Sequence, residues 1–226
     1  MTTYAVLGTT GNCGTALIDL LLLTPDARVK AYCRNKNKLI QKVPNLDGNK
    51  RVQVYEGSVC DIDLLVDCSR DTRAIFHVVN TNDNIPGCHI GLDTAKSIIA
   101  ALKTIKASNS NMFSVNLPKI LLLSPAPSTN PRQYSSKPGI ISVDIQRGQE
   151  LNLDHDESFF SNLDLSDSMV EATNDIENKF DMRNVSVVNA NGSAKFPSGA
   201  PYCIAIGILR HFFPFLHNYL PSTGPS

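Results

Sequence analysis

Apolar residues in the first half of the chain fall into two alternating kinds of stretch. Tyr4–Leu7, Arg28–Cys33, Val52–Glu56, Ala74–Val79 and Lys119–Leu123 have strand length and are rich in Val, Ile, Leu, Tyr and Phe. Between them lie segments whose apolar positions recur at helical spacing. Ile90–Lys106 is the clearest: Leu92, Ala95, Ile98, Ile99, Leu102 and Ile105 follow a period of about 3.6. Thr15–Leu23 and Ile62–Cys68 read in the same way. Strands that alternate with helices predict a parallel sheet with right-handed crossovers, because parallel neighbours cannot be joined by a tight turn.

The second half departs from this pattern. Only about fifteen residues separate the fifth strand from the next apolar stretch, Gly139–Val143, where a parallel crossover needs a dozen or more, usually helical. Pro125, Pro127, Pro131 and Pro138 fall in that gap and forbid a long helix there. Glu150–Glu157 reads as an acidic turn and Ser158–Leu163 as a short edge strand. Asp164 is expected to cap a helix running through Ala172, and Arg183–Val188 to form a late strand. Pro201–Leu220 is apolar on all sides but broken by Arg210, His211, Pro214 and His217, too short and too polar to span a bilayer. It reads as a docked helix, the surface of a homodimer or the wall of a substrate pocket, with buried packing the default.

Composition narrows the class. With 226 residues, 42% of them hydrophobic, the chain can bury one substantial core, and a single domain over 1–226 is expected. A formal net charge of zero excludes nucleic acid as the main partner, since phosphate backbones demand a basic excess. The six cysteines show no C-x-x-C pair and no zinc spacing, so no metal is expected. The first strand begins by residue 3 or 4 and leaves no room for a signal peptide. Free thiols in a reducing, cytoplasmic compartment follow as the expectation.

The chemistry concentrates at the first turn, Gly8-Thr9-Thr10-Gly11-Asn12-Cys13-Gly14, between a buried strand and a helix. Each glycine has a physical task. Gly8 turns the chain sharply, Gly11 lets backbone approach a pyrophosphate with no Cβ in the way, and Gly14 lets the helix pack on the sheet. The free N–H groups and dipole of the helix start then face the phosphates. This turn makes the fold class α/β, a Rossmann-type doubly wound parallel sheet with a shortened fifth-strand crossover. Residues 1–125 form the dinucleotide-binding core and 126–226 the substrate side. The second strand runs into Arg34-Asn35-Lys36, where an acidic residue would hold the 2′-hydroxyl of NAD. Arg34 and Lys36 instead favour NADP. Asn80 and Thr81 follow the fourth strand, whose carboxyl end lies along the cofactor cleft, and His77 within it reads as a core histidine. Asp61 is placed to cap the next helix.

Together the Gly8–Gly14 turn, Arg34, Gly57–Asp61, the Leu123-Ser124 strand end and Leu163–Val170 resemble the atypical short-chain dehydrogenase/reductases of the NmrA-like kind. Met1–Gly14, Ala31–Asn35, Asn80–Gly87, Lys137–Gly148, His211–His217 and Leu220–Gly224 are most similar to the fungal averufin-oxidase-A family. The resemblance covers nearly the whole chain. It implies an oxidoreductase of aromatic polyketide metabolism, on aflatoxin-type or anthraquinone-to-xanthone routes, with Asp61 beside the adenine. In the wider family a serine at the fifth strand's end steadies the substrate oxygen, and a Tyr-x-x-x-Lys helix moves its proton and holds the nicotinamide ribose. Ser124 matches the serine. Tyr134-Ser-Ser-Lys137 is one residue too short to set tyrosine and lysine on one helical face, and Lys137-Pro-Gly139 resembles the family's later Pro-Gly loop. The active-site helix would then be lost between about Tyr134 and Lys137.

The resemblance favours an NADP(H)-dependent oxidoreductase acting on a small aromatic substrate, with Ser124 and Tyr134 as the catalytic candidates. The departure from Tyr-x-x-x-Lys leaves two other readings open: a catalytically silent dinucleotide-binding regulator, and a cofactor-bound isomerase or cyclase.

Overall fold

A computed structural model describes residues 1–79, 88–108, 117–123, 149–152, 162–175, 177, 179–182, 185–189 and 200–221. The chain divides into two compact units, Met1–Asn80 with His89–Leu123, and Thr81–Cys88 with Ser124–Ser226.

The first unit is a five-stranded parallel sheet in the order β3-β2-β1-β4-β5. Its strands are β1 (Thr2–Leu7), β2 (Ala27–Cys33), β3 (Val52–Glu56), β4 (Ala74–His77) and β5 (Lys119–Leu122). The crossovers are α1 (Asn12–Leu23), α2 (Lys36–Lys42), α3 (Ile62–Ser69) and α4 (Ile90–Ser108). The chain therefore moves from β1 outward to β3, then returns to β4 on the other side of β1. That reversal opens a crevice at the carboxyl ends of β1 and β4, the general ligand position of open α/β sheets.

Burial on both faces explains why β1 reads as a continuous apolar run. Tyr4 pairs across the sheet with Val29, and its ring lies 5.8 Å from that of Phe76. Ala5 and Leu7 point the other way and join Tyr32 and Ile75 in a core shared with α3 and α4. On α4 the buried stripe is Thr94, Ile98, Ala101, Leu102 and Ile105. Leu92 and Ile99, assigned to that face from the apolar period alone, are exposed. The stripe keeps helical spacing but includes the polar Thr94, whose hydroxyl donates to Ile90 O at 2.7 Å.

Two cations, Arg51 just before β3 and Lys30 on β2, satisfy two helix ends. Arg51 donates to the carbonyls of Leu22 at 2.6 Å and Thr24 at 2.8 Å, at the C-terminus of α1, whose last turn has no basic residue. Lys30 does the same for α3 through Asp67 O at 2.9 Å and Arg70 O at 2.7 Å. Positive charge at these carbonyls meets both the missing hydrogen bonds and the dipole.

The second unit holds an antiparallel pair, β6 (Gln149–Asn152) with β7 (Ser186–Asn189), and the helices α5 (Asn162–Asn174) and α6 (Ala200–Phe212). A 3₁₀ turn, Pro214–Tyr219, follows α6. Three expectations are corrected here. Residues 150–152 are strand, not acidic turn, because Leu151 and its neighbours pair with β7. Asp164 does not cap α5: the helix begins two residues earlier at Asn162, and Asp164 is buried inside its first turn. The tail is not buried all round. Ile206 and Arg210 are buried, whereas Tyr202, Phe212, Phe215 and Tyr219 are exposed, since a helix with apolar residues on every side cannot bury them all against one neighbour. Arg210 is anchored where it lies, donating to Pro221 O at 2.6 Å.

Candidate functional site

The Gly8–Gly14 turn stands at the carboxyl end of β1, on the crevice, and its three glycines differ in what holds them. Gly8 has φ +94°, and a Cβ there would meet Val78 O at 2.7 Å and Val79 N at 2.9 Å on the end of β4. Both the turn and the approach of β4 exclude a side chain. A Cβ on Gly14 would fall on Gly8 O, with Gly8 C and Thr9 Cα each at 2.8 Å. The close packing expected of Gly14 is thus between α1 and its own turn. Gly11 is different. Its φ of −83° and ψ of 163° suit any residue, and among the described residues a Cβ there would meet one atom, Gly8 O, at an ordinary 3.4 Å.

Gly11 is also the N-cap of α1, where it has no side chain to offer the helix start. The first turn contains no acidic residue, and Thr15 N–H donates to Gly11 O at 2.9 Å. The amides of Asn12, Cys13 and Gly14 lie ahead of it, at the positive end of a 12-residue helix. Thr9 is buried and donates to Tyr32 O at 3.1 Å, so its hydroxyl fastens the turn to β2. Thr10 is half-buried, Asn12 is exposed and Cys13 is buried.

Beyond β2 the chain bends at Arg34, which is exposed along with Asn35 and Lys36. Asn35 caps α2, accepting the Lys38 N–H at 2.9 Å. Asp61 accepts the Leu64 N–H at 3.0 Å and is the N-cap of α3, the structural role expected of it. Tyr32 stiffens this edge of the crevice by donating to Ser58 O at 2.7 Å; burial, with a smaller push from Asp61, raises its hydroxyl to about 12. Asn80, Thr81, Ser124 and Tyr134 lie outside the described residues, as does the short 126–138 connection.

One residue at the site escaped the sequence reading. Glu56 ends β3 level with Cys33, and its carboxylate accepts the Lys36 N–H at 3.0 Å. The second strand carries no acidic residue at its end, but the neighbouring strand delivers one to the same turn. The matched ends of Arg28–Cys33 and Val52–Glu56 were the available signal, and only strand order turns them into a contact.

His77 is a core histidine, as expected. Its Nε2 lies 3.1 Å from Gly91 O, burial lowers its pKa, and Nδ1 has no hydrogen-bond partner among the described residues. Among those residues no group of three or more His, Cys, Asp or Glu side chains could hold a metal ion, and no helix is long and apolar enough to cross a membrane.

No family model matches the chain. Individual proteins do, over their full length. Oxidoreductase AgnL4 of Paecilomyces divaricatus is 52% identical over 263 aligned positions that take in 100% of each chain. Oxidoreductase nsrR of Aspergillus novofumigatus is 46% identical, covering 99% of this chain and 98% of its own. The 263 positions aligned with AgnL4, against the 226 residues present here, leave at least 37 positions with no residue in this chain. Among solved structures, a short-chain dehydrogenase/reductase of Veillonella parvula in complex with NADP superposes with a TM-score of 0.60 at 16% identity. It covers 87% of this chain and 99% of that one. A Rossmann-fold NAD(P)-binding family protein of Shigella flexneri gives 0.58 at 12% identity, covering 87% and 98%. These likenesses establish the fold.

Proposed function

Because the chain belongs to the family of fungal oxidoreductases that includes AgnL4 and nsrR, and is itself an oxidoreductase, we propose that it exchanges a hydride between NADP(H) and an aromatic polyketide of the anthraquinone or xanthone type in secondary metabolism. Gly11 is the observation that carries the cofactor reading. Neither its backbone angles nor its neighbours among the described residues require glycine, and a ligand lying against the main chain would account for the missing Cβ. The start of α1 beside it, with glycine as its N-cap and no acidic residue in its first turn, fits the diphosphate of a dinucleotide. In this reading 1–226 is one NAD(P)-binding domain of the NmrA-like, averufin-oxidase-A kind.

When bound, the nicotinamide supplies or accepts the hydride, and the chain's own residues bind, orient and move a proton. The amides of Asn12, Cys13 and Gly14 receive the diphosphate. Arg34 and Lys36 would meet the 2′-phosphate, Asp61 would lie beside the adenine, and Asn80 and Thr81 are proposed to contact the cofactor. Ser124 steadies the substrate oxygen and Tyr134 transfers its proton. On this reading the positions that the chain lacks relative to AgnL4 would fall at the short 126–138 connection, leaving the tyrosine without the lysine of Tyr-x-x-x-Lys. The exposed aromatic rings of α6 and its 3₁₀ turn, Tyr202, Phe212, Phe215 and Tyr219, support a flat phenolic substrate, against which such rings stack.

Calorimetric titration with NADPH and NADH, followed by NADPH consumption with anthraquinone substrates, tests the reading. NADPH should bind more tightly than NADH, and Arg34→Ala should weaken NADPH about tenfold while leaving NADH unchanged, a loss of about 1.4 kcal/mol. No binding of either cofactor would end the proposal. Product formation without net NADPH consumption would replace hydride transfer with a cofactor-bound isomerase or cyclase.

A further inference from the structure

The turn that carries Arg34 and Lys36 holds only cations in the sequence, and the fold adds an anion to it. Glu56 accepts the Lys36 N–H at 3.0 Å, while Asn35 separately caps the same helix through the Lys38 N–H at 2.9 Å. The Glu56 carboxylate is felt at the end of β2: burial first, and that carboxylate second, push the Cys33 thiol up. A negative group here does two separable things. Its hydrogen bond fixes the backbone of 34–36, and so the points from which both cations reach out. Its charge opposes any second anion brought to those cations.

We propose that Glu56 determines cofactor specificity at this turn: its hydrogen bond to Lys36 positions the turn for any dinucleotide, while its charge holds affinity for a 2′-phosphate below what Arg34 and Lys36 alone would give. The inference rests on the cofactor reading above. NADH carries a hydroxyl where NADPH carries the phosphate, so it senses the positioned turn but has no charge there to be repelled. Glutamine keeps an acceptor oxygen for Lys36 N–H and removes the charge; alanine removes both. The two variants therefore separate the two roles.

The test is titration of the whole chain with NADPH and NADH, in wild type, Glu56→Gln, Glu56→Ala and Arg34→Ala. Glu56→Gln should tighten NADPH about threefold or more at low salt and change NADH by less than about twofold. That gain should shrink in about 0.5 M salt, where exposed charges are screened within a few ångströms. Glu56→Ala should weaken NADH, because the turn loses its fastening. An unchanged NADPH affinity in Glu56→Gln, or an equal gain for NADH, overturns the proposal. Weaker NADH binding in Glu56→Gln also overturns it, since the carboxylate would then be holding a 2′-hydroxyl. If the wild type prefers NADPH and loses that preference in Arg34→Ala while Glu56→Gln has no effect, this inference alone fails. If the wild type binds neither dinucleotide, the cofactor reading fails and takes this inference with it.

Discussion

Replacing the turn glycines by alanine, one at a time, separates glycines the fold needs from the one assigned to the proposed cofactor. Gly14→Ala puts a methyl onto Gly8 O, against main-chain atoms that cannot rotate away. Overpacking of this kind costs about 1–3 kcal/mol, only partly offset by the roughly 0.5–1 kcal/mol that alanine gains over glycine inside a helix. Gly8→Ala adds a left-handed φ, about 1–2 kcal/mol more, to a similar collision with Val78. Gly11→Ala meets neither obstacle. The gain of about 0.4–1 kcal/mol from a stiffer unfolded chain is set against a poorer N-cap of similar size, so stability should change by less than about 0.5 kcal/mol. By thermal unfolding, Gly11→Ala should lie within about 2 °C of wild type, with Gly14→Ala and Gly8→Ala several degrees lower. Calorimetry should rank Gly11→Ala differently. A methyl between main chain and pyrophosphate costs about 1–3 kcal/mol by the same overpacking argument, or roughly 5- to 150-fold in NADPH affinity. Unaltered NADPH binding by a stable Gly11→Ala protein would refute the reasoning, and so would a drop in stability matching that of Gly14→Ala.

Two further predictions concern buried and exposed groups. Burial pushes the Cys68 thiol up to about 12, so at pH 8 only about one molecule in ten thousand carries the thiolate. Alkylation followed by peptide mapping should label the exposed Cys60 and Cys88 first, and Cys13, Cys33 and Cys68 only on unfolding; rapid native labelling of Cys68 would contradict its packing. His77 has a folded pKa below its unfolded value of about 6.5, so the unfolded state takes up more protons in that range. Its contribution to stability is complete above about pH 6.5 and is lost as pH falls through the lowered folded pKa. Thermal unfolding between pH 7.5 and 5 should show a slope that flattens in His77→Gln; equal slopes would place the titration elsewhere.

The sequence by itself determined the five parallel strands, their helices and the glycine turn, because each is written in local periods and in backbone freedoms that survive without knowledge of the partner. Val52–Glu56 matches the observed strand, and Ile62 and Ile90 begin their helices as the pattern requires. Local pattern was less reliable where burial depends on distant neighbours. Leu92 and Ile99 have the right spacing and the right chemistry, yet α4 turns the face containing Thr94 inward. The same holds for the tail, whose apolar residues outnumber the positions that can be covered.

At the candidate site, the glycine turn, Arg34, Lys36 and Asp61 were all legible, since a turn, a charge and a cap are properties of consecutive residues. What only the tertiary structure decided is which glycine the fold can spare and which acid meets the basic turn. Gly8 and Gly14 are fixed by atoms of Val78 and of the turn itself, whereas a Cβ on Gly11 would meet only Gly8 O, at 3.4 Å, among the described residues. Glu56 lies 20 residues from Lys36 and reaches its amide only because β2 and β3 are parallel neighbours that end together. Strand order is set by the burial of whole elements, so contacts between the ends of separate strands have no signature in either strand alone.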